Sequence, residues 1–346
     1  MKTLFKSFCE APPRLLSAKT PVRGIFKASP GDFEVRELPL QEPDGGAEHL
    51  YCWIEKQDLG SEELLEHCEA VLELAPGEVG IAGMKDKRAR TFQGITVPRR
   101  AEPLLPRLET PQLTLHRVAG HSAKLRRGQL AGNAFRVCLR EVSEADKARL
   151  GALVSELGVR GVPNYFGPQR FGAAGKNIRL GLALCGGEGP RVKPFLRQLA
   201  VHSLQSAVFN VALGHRIQEG VWGEVLAGDV IEDLKLGVPS VVFDVEREQA
   251  RLDAGRVGVL GPLVGPKMRR AKGAAGKGEQ RAMEAVGLTA AMLARMGQWA
   301  PGDRRLYKLR VDALALEWEQ GDPVLAFELP PGGYATALLN ELVVGA

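Results

Sequence analysis

The run Gly83-Met84-Lys85-Asp86-Lys87-Arg88-Ala89 sets one carboxylate between two lysines, directly after the short apolar piece Val79-Gly80-Ile81-Ala82. Positive charge within a few Å favours the ionised form of an Asp. An ionised Asp with one face clear is a competent nucleophile. The surrounding Lys and Arg also suit a polyanionic substrate. The same pattern describes a solvated charged turn after a strand, the usual fate of a charge run. The rest of the chain must decide between the two.

Positive charge is clustered in a chain whose net charge is only +5. Residues 85–100 carry Lys85, Lys87, Arg88, Arg90, Arg99 and Arg100 against Asp86 alone. Residues 116–140 carry Arg117, Lys124, Arg126, Arg127, Arg136 and Arg140 with no acid, and residues 266–281 carry Lys267, Arg269, Arg270, Lys272, Lys277 and Arg281 against Glu279. One such block is a solvated face. Three together point to a phosphate-binding surface and a nucleic-acid partner.

The composition narrows the class further. A chain of 346 residues has the length of two domains, and 45% hydrophobic with 25% charged residues is the balance of a soluble globular protein. No apolar run approaches 20 residues, so neither a transmembrane helix nor a membrane partner is expected. Residues 1–18 have no continuous apolar stretch of the secretory type. Cys9, Cys52, Cys68, Cys138 and Cys185 are odd in number, scattered and without a Cys-x-x-Cys pair, which argues against disulfides and fits the cytoplasm. His116 and His121 are five apart and no His-x-x-x-His occurs, so no metal is expected.

These groups must be positioned by secondary structure. Residues 22–56 read as β-rich, with turns at Ser29-Pro30-Gly31-Asp32 and Pro43-Asp44-Gly45-Gly46. Leu64, Leu65, Cys68, Val71 and Leu72 have helical spacing within 61–73, with Ser61 as an N-cap. Residues 112–118 and 133–140 read as strands; Phe135, Val137 and Leu139 share one face of the second. A helix follows at 144–157. Residues 161–310 read as mostly helical, including 195–218 and 280–297, with a Gly-rich basic loop from 261 to 278. Strand texture returns at 305–329, followed by Pro330-Pro331-Gly332-Gly333-Tyr334 and a short helix. A β-rich start and end around a helical middle suggest a discontinuous domain carrying an insertion.

Four more clusters stand beside Gly83–Ala89: Lys27 to Phe33; His121 through Asn133-Ala134-Phe135; Val162-Pro163-Asn164-Tyr165-Phe166-Gly167-Pro168-Gln169-Arg170-Phe171-Gly172; and Pro331-Gly332-Gly333-Tyr334-Ala335-Thr336. Together, in this order and from about Gly24 to Leu342, they closely resemble the tRNA pseudouridine synthase D (TruD) family. Tyr334 stands where some members carry Phe, which keeps the aromatic.

The resemblance implies an α+β fold: a mixed β-sheet pseudouridine synthase catalytic domain over 1–160 plus 311–346, and an inserted, mainly helical TruD domain over 161–310, with a basic cleft between them for tRNA. It implies isomerisation of uridine to pseudouridine, at position 13 of certain tRNAs, without cofactor or metal. In this reading Asp86 is the nucleophile and Lys27 its basic partner. Phe33, Asn133, Phe135 and Tyr334 contact the substrate, Phe135 by stacking. Lys85, Lys87, Lys124, Arg126, Arg127 and Arg170 are candidates for the RNA backbone, and a monomer is expected. From pattern alone, Phe135 serves core packing equally well, and Phe33 is the aromatic of an alternating strand. A non-catalytic RNA-binding protein and a glycosidase-type enzyme releasing free uracil are the rival readings; the second needs a water held by another acid near Asp86.

Overall fold

Alternation of apolar and polar residues at the start and end of the chain resolves into one mixed sheet. The structure, a computed structural model, describes residues 2–16 and 19–344. Met1, Ser17, Ala18, Gly345 and Ala346 lie outside the described residues, and with them the outer ends of the expected catalytic domain.

Among the described residues the sheet runs in the order Asp312–Glu319, Asp322–Leu329, Leu130–Cys138, Phe33–Pro39, Arg90–Pro98, His49–Gln57 and Leu113–His121, with Gly80–Ile81 pairing on Arg90–Pro98. The Phe33–Pro39 and Arg90–Pro98 strands are parallel; the other pairings are antiparallel. The sheet belongs to a unit composed of Pro21–Val159, Arg310–Ala335 and Leu342–Ala346. Its core is built where Leu50, Cys52, Ile54 and Ile95 meet Leu64 and Cys68 of the helix Ser61–Val71. Burial of such side chains stabilises by about 1.5–3 kcal/mol each.

Register decides what shares a face with that core. Partners across a ladder point to the same side. Phe33 lies opposite Val137, Val35 opposite Phe135 and Glu37 opposite Asn133, while Phe135 lies opposite Phe327. In the other direction Val35 is opposite Thr91 and Thr91 opposite Lys56. Phe33, Glu37, Lys56, Asn133 and Phe135 therefore project from one face. Arg36, Phe92 and Glu55 project from the other.

The second unit comprises Met1–Thr20, Arg160–Leu309 and Thr336–Glu341. Its axis is the helix Pro194–Gln218, buried along most of its length through residues such as Val201, Leu204, Val208 and Val211. The unit is mainly helical, as expected, and it also holds an antiparallel sheet of Val238–Val241, Val230–Asp233, Val257–Leu263 and Asp303–Leu306, which the sequence reading did not single out. Three of these strands have only four residues, the least over which a period of two registers, and Val257–Leu263 is a near-continuous apolar run that periodicity does not separate from a buried helix segment. The stretch expected to be loop at 261–278 is strand to Leu263 and helix from Gly273 to Val286. That helix is glycine-rich, so its propensity is poor, but Ala275, Ala282 and Val286 bury a face. The expected helix over 280–297 breaks at Gly287, whose φ is +86°, leaving Gly273–Val286 and Ala290–Met296.

Candidate active site

Asp86 sits on the loop between Gly80–Ile81 and Arg90–Pro98. Its Oδ2 accepts a hydrogen bond from Lys27 Nζ at 2.9 Å, and its side chain is 51% exposed. Among the described residues nothing donates to Oδ1. One oxygen is thus clamped by a cation and the other is clear, which suits nucleophilic attack.

Lys27 reaches Asp86 from a backbone with φ of +68°, a left-handed conformation costing a non-glycine residue roughly 1–2 kcal/mol. Its neighbours enforce it. On one side Ile25 and Arg140 exchange main-chain hydrogen bonds at 3.0 and 2.9 Å. On the other, Asp32 Oδ2 accepts from Ser29 N at 2.7 Å and Ser29 Oγ at 2.9 Å, and Arg140 Nε donates to Asp32 Oδ1 at 2.8 Å. Burial alone would raise the Asp32 carboxyl, but Arg140 and Ser29 outweigh it and hold Asp32 below the ordinary carboxylate range. The Lys27 ammonium also lies 4.0 Å from the centroid of the Phe33 ring.

The loop carrying Asp86 is fixed from beneath by groups the sequence reading did not assign. Lys56, 1% exposed, donates from Nζ to the Asp86 main-chain oxygen at 3.0 Å and to that of Leu59 at 2.6 Å. Burial pushes its ammonium down to about 8; Asp86 and Glu63 oppose this shift and Lys85 adds to it. Ser61 Oγ accepts from Lys85 N at 2.8 Å and donates to Lys85 O at 3.1 Å. That bridge takes Ser61 away from the expected cap role. The N-cap is Gly60, whose N–H is bound by Glu63 Oε2 at 2.8 Å.

Lys85, expected to meet RNA phosphates, is instead buried in an ion pair with Glu37 at 2.6 Å. Its side chain points back into the sheet, so it is withdrawn from the surface. Lys87 is exposed and pairs with Glu63 at 2.5 Å. Arg88 is exposed beside it. Arg126 and Arg127 are exposed on a loop docked against the Asp86 loop, where Gly128 N donates to Ala82 O at 2.8 Å and Arg127 Nη2 approaches Met84 Sδ at 3.9 Å. Lys124 is half-buried and donates to Gly77 O. Arg170 lies in the other unit, half-buried, with Nε 3.3 Å from Ser206 Oγ and its guanidinium 5.7 Å from the Phe166 ring centroid. The motif around it forms packing there: Phe166 stands edge-on to Phe209, and Asn164 Nδ2 donates to Leu306 O.

Three of the expected substrate contacts, Phe33, Asn133 and Phe135, share one face of the sheet, where Phe33 meets the Lys27 that holds Asp86. Phe135 is half-buried, stacked on Phe327 at 5.1 Å and edge-on to Phe33 at 6.0 Å. Phe33 is 2% exposed, so its main role is to back Phe135 and Lys27. Asn133 is half-buried, and its Oδ1 is buried without a hydrogen-bond partner, leaving an acceptor for a donor from outside the protein. Tyr334 is half-buried on the turn after Asp322–Leu329. Gly132 lets that turn approach: a Cβ there would lie 2.5 Å from Leu329 O. Among the described residues no group of three His, Cys, Asp or Glu is placed to hold a metal ion. No helix among them is long and apolar enough to cross a membrane.

A mixed sheet that presents a lysine-clamped carboxylate beside aromatic rings has the parts that nucleophilic carboxylate chemistry on a flat, polar substrate requires. The family model described as tRNA pseudouridine synthase D (TruD) matches residues 14–189 and 190–342. A tRNA pseudouridine synthase D of Anaeromyxobacter dehalogenans is 37% identical over 325 residues, covering 92% of each chain. One of Thermus thermophilus is 36% identical over 93% of this chain and 89% of its own. A TruD-type chain from Methanosarcina mazei, known from a crystal structure, superposes with a TM-score of 0.79 over 96% of both chains at 22% identity, a likeness of fold. The chain belongs to the tRNA pseudouridine synthase D (TruD) family.

Proposed function

We infer that the chain isomerises uridine to pseudouridine in tRNA, the uridine at position 13 being the target implied by the family, with Asp86 as nucleophile. The observation that carries this reading is the Asp86 carboxylate: one oxygen held by Lys27, the other clear, on a loop fixed by Lys56 and Ser61. The flipped uracil stacks on Phe135, and unstacking costs a few kcal/mol that the pocket offsets. Asn133 offers an acceptor and donors to the uracil edge, and Tyr334 closes the pocket. Asp86 attacks C1′ of the ribose or C6 of the base. The N1–C1′ bond breaks, the uracil turns, C5 bonds to C1′, and the C5 proton passes to N1 with solvent. Nothing is added or lost, so the reaction consumes no co-substrate, and the family implies neither cofactor nor metal. The sheet-bearing unit is the catalytic domain and Arg160–Leu309 the core of the family's insertion; Arg126 and Arg127 contact the RNA backbone. The enzyme acts as a cytoplasmic monomer.

The test is pseudouridine mapping on tRNA transcripts with the unaltered chain and with Asp86→Ala. Product at one position that disappears in Asp86→Ala, with RNA binding retained, supports the reading. Binding without product in either favours a binding protein. Free uracil in the supernatant favours a glycosidase.

A further inference from the structure

A second constellation lies wholly within the unit built around Arg160–Leu309. The basic run after Val257–Leu263 is held by its main chain. Lys267 N donates to Pro301 O at 2.7 Å, and Lys272 N to Gly228 O at 2.8 Å. Arg304, buried and ion-paired with Glu279, donates from Nε to Arg269 O at 2.7 Å. Met268 is buried beneath the run. With the backbone and Met268 turned inward, Lys267, Arg269, Arg270 and Lys272 are all exposed, as is Lys277 on the following helix. None of the five pairs with a carboxylate among the described residues.

Gly228 joins this run to a distant one. Its own N–H donates to Val242 O at 3.1 Å. Its φ is +83°, and a Cβ would stand 2.1 Å from Lys272 O, so the close crossing needs glycine here. The crossing sets Phe243 beside Lys272, whose ammonium is 5.7 Å from the ring centroid. Phe243 is 83% exposed. An aromatic ring open to solvent, with the Lys272 ammonium beside it and exposed Lys267, Arg269 and Arg270 on the run that leads to Lys272, combines a stacking platform with cations for phosphates, the pairing that recognises single-stranded nucleic acid.

We propose that the Gly228 crossing is a second RNA-contact site, in which Phe243 stacks an unpaired base and Lys267, Arg269, Arg270 and Lys272 hold the flanking phosphates. The choice of RNA as ligand rests on the function proposed above; the chemistry of the site is independent of Asp86. Unpaired loop nucleotides of a folded RNA are the fitting partners.

Direct binding of a tRNA transcript tests it, measured by fluorescence anisotropy over a range of salt with the full chain. Phe243→Ala is expected to weaken binding about tenfold or more with the salt slope unchanged, and Phe243→Tyr to restore it. Arg269→Ala and Arg270→Ala are each expected to lower the slope by about one. Ultraviolet crosslinking of the unaltered chain is expected to mark Phe243. Phe243→Ala binding as tightly as the unaltered chain, or losing instead affinity for anionic vesicles or for another protein, overturns the proposal. Product formation is recorded separately. A chain that binds through Phe243 but makes no pseudouridine disproves the catalytic reading alone.

Discussion

The ammonium of Lys56, itself 1% exposed, and the main-chain oxygen of Asp86 lie 3.0 Å apart. A buried lysine serves the loop as a tie. Its remaining polar contact is Leu59 O at 2.6 Å, so removing it takes the ammonium donor away from two carbonyls that hold the loop.

Lys56→Met is therefore expected to lower the rate at least tenfold with little change in RNA affinity, and Lys56→Arg to restore part of it. The pH dependence has a definite sign. Lys56 holds its proton more weakly in the folded chain, at about 8 against an ordinary 10.5. Between these values the unfolded chain binds more protons through it, so its contribution to stability rises with pH. Over the same interval the tie loses its charge and the rate is expected to fall. Single-turnover rates and thermal unfolding from pH 7 to 10 check both; an alkaline limb that persists in Lys56→Met refutes the assignment.

In the proposed role Lys27 trades strain for function. Lys27→Gly removes a left-handed lysine and a half-exposed ion pair worth under about 1 kcal/mol. The melting temperature is expected to hold or rise, while pseudouridine formation falls about a hundredfold as Asp86 loses its orientation. Melting curves and rates on the same preparation decide it; a clear loss of stability contradicts the strain argument.

Glu37 and Lys85 are expected to govern stability. Glu37→Gln leaves the buried Lys85 ammonium uncompensated, at a cost of roughly 3–5 kcal/mol. The double change Glu37→Gln with Lys85→Met is expected to recover much of it. Denaturant unfolding measures this, and equal stability of Glu37→Gln and the unaltered chain would show the pair to be idle.

Arg126 and Arg127 are expected to act only in binding. Arg126→Ala and Arg127→Ala each weaken RNA affinity and lower the salt slope by about one, with the rate at saturating RNA unchanged. A change in that rate without a change in slope would place them in the chemistry.

Two of the groups that hold the site left a mark in the sequence that is clear once the register is known. Lys56 falls in phase with Leu50, Cys52 and Ile54, and Glu37 with Phe33 and Val35. A charge on the apolar side of a strand must find a partner. Sequence cannot name that partner, because Glu37 and Lys85 are separated by 48 residues. Lys85 shows the converse: beside Asp86 and Lys87 it looked surface-bound, and only the direction of its side chain distinguishes it.

Alternation in the sequence by itself determined most of the strands, and the charge pattern marked Asp86 as the candidate nucleophile; the mixed sheet and Lys27 as the partner of Asp86 were legible through the family resemblance, whose motifs are local runs of the chain. Only the tertiary structure decided which lysines are buried, that Ser61 bridges Lys85 rather than capping its helix, and that Gly228 brings Phe243 to a basic run. Burial and pairing depend on strand register and chain crossings between distant segments, and those are fixed by packing over the whole fold.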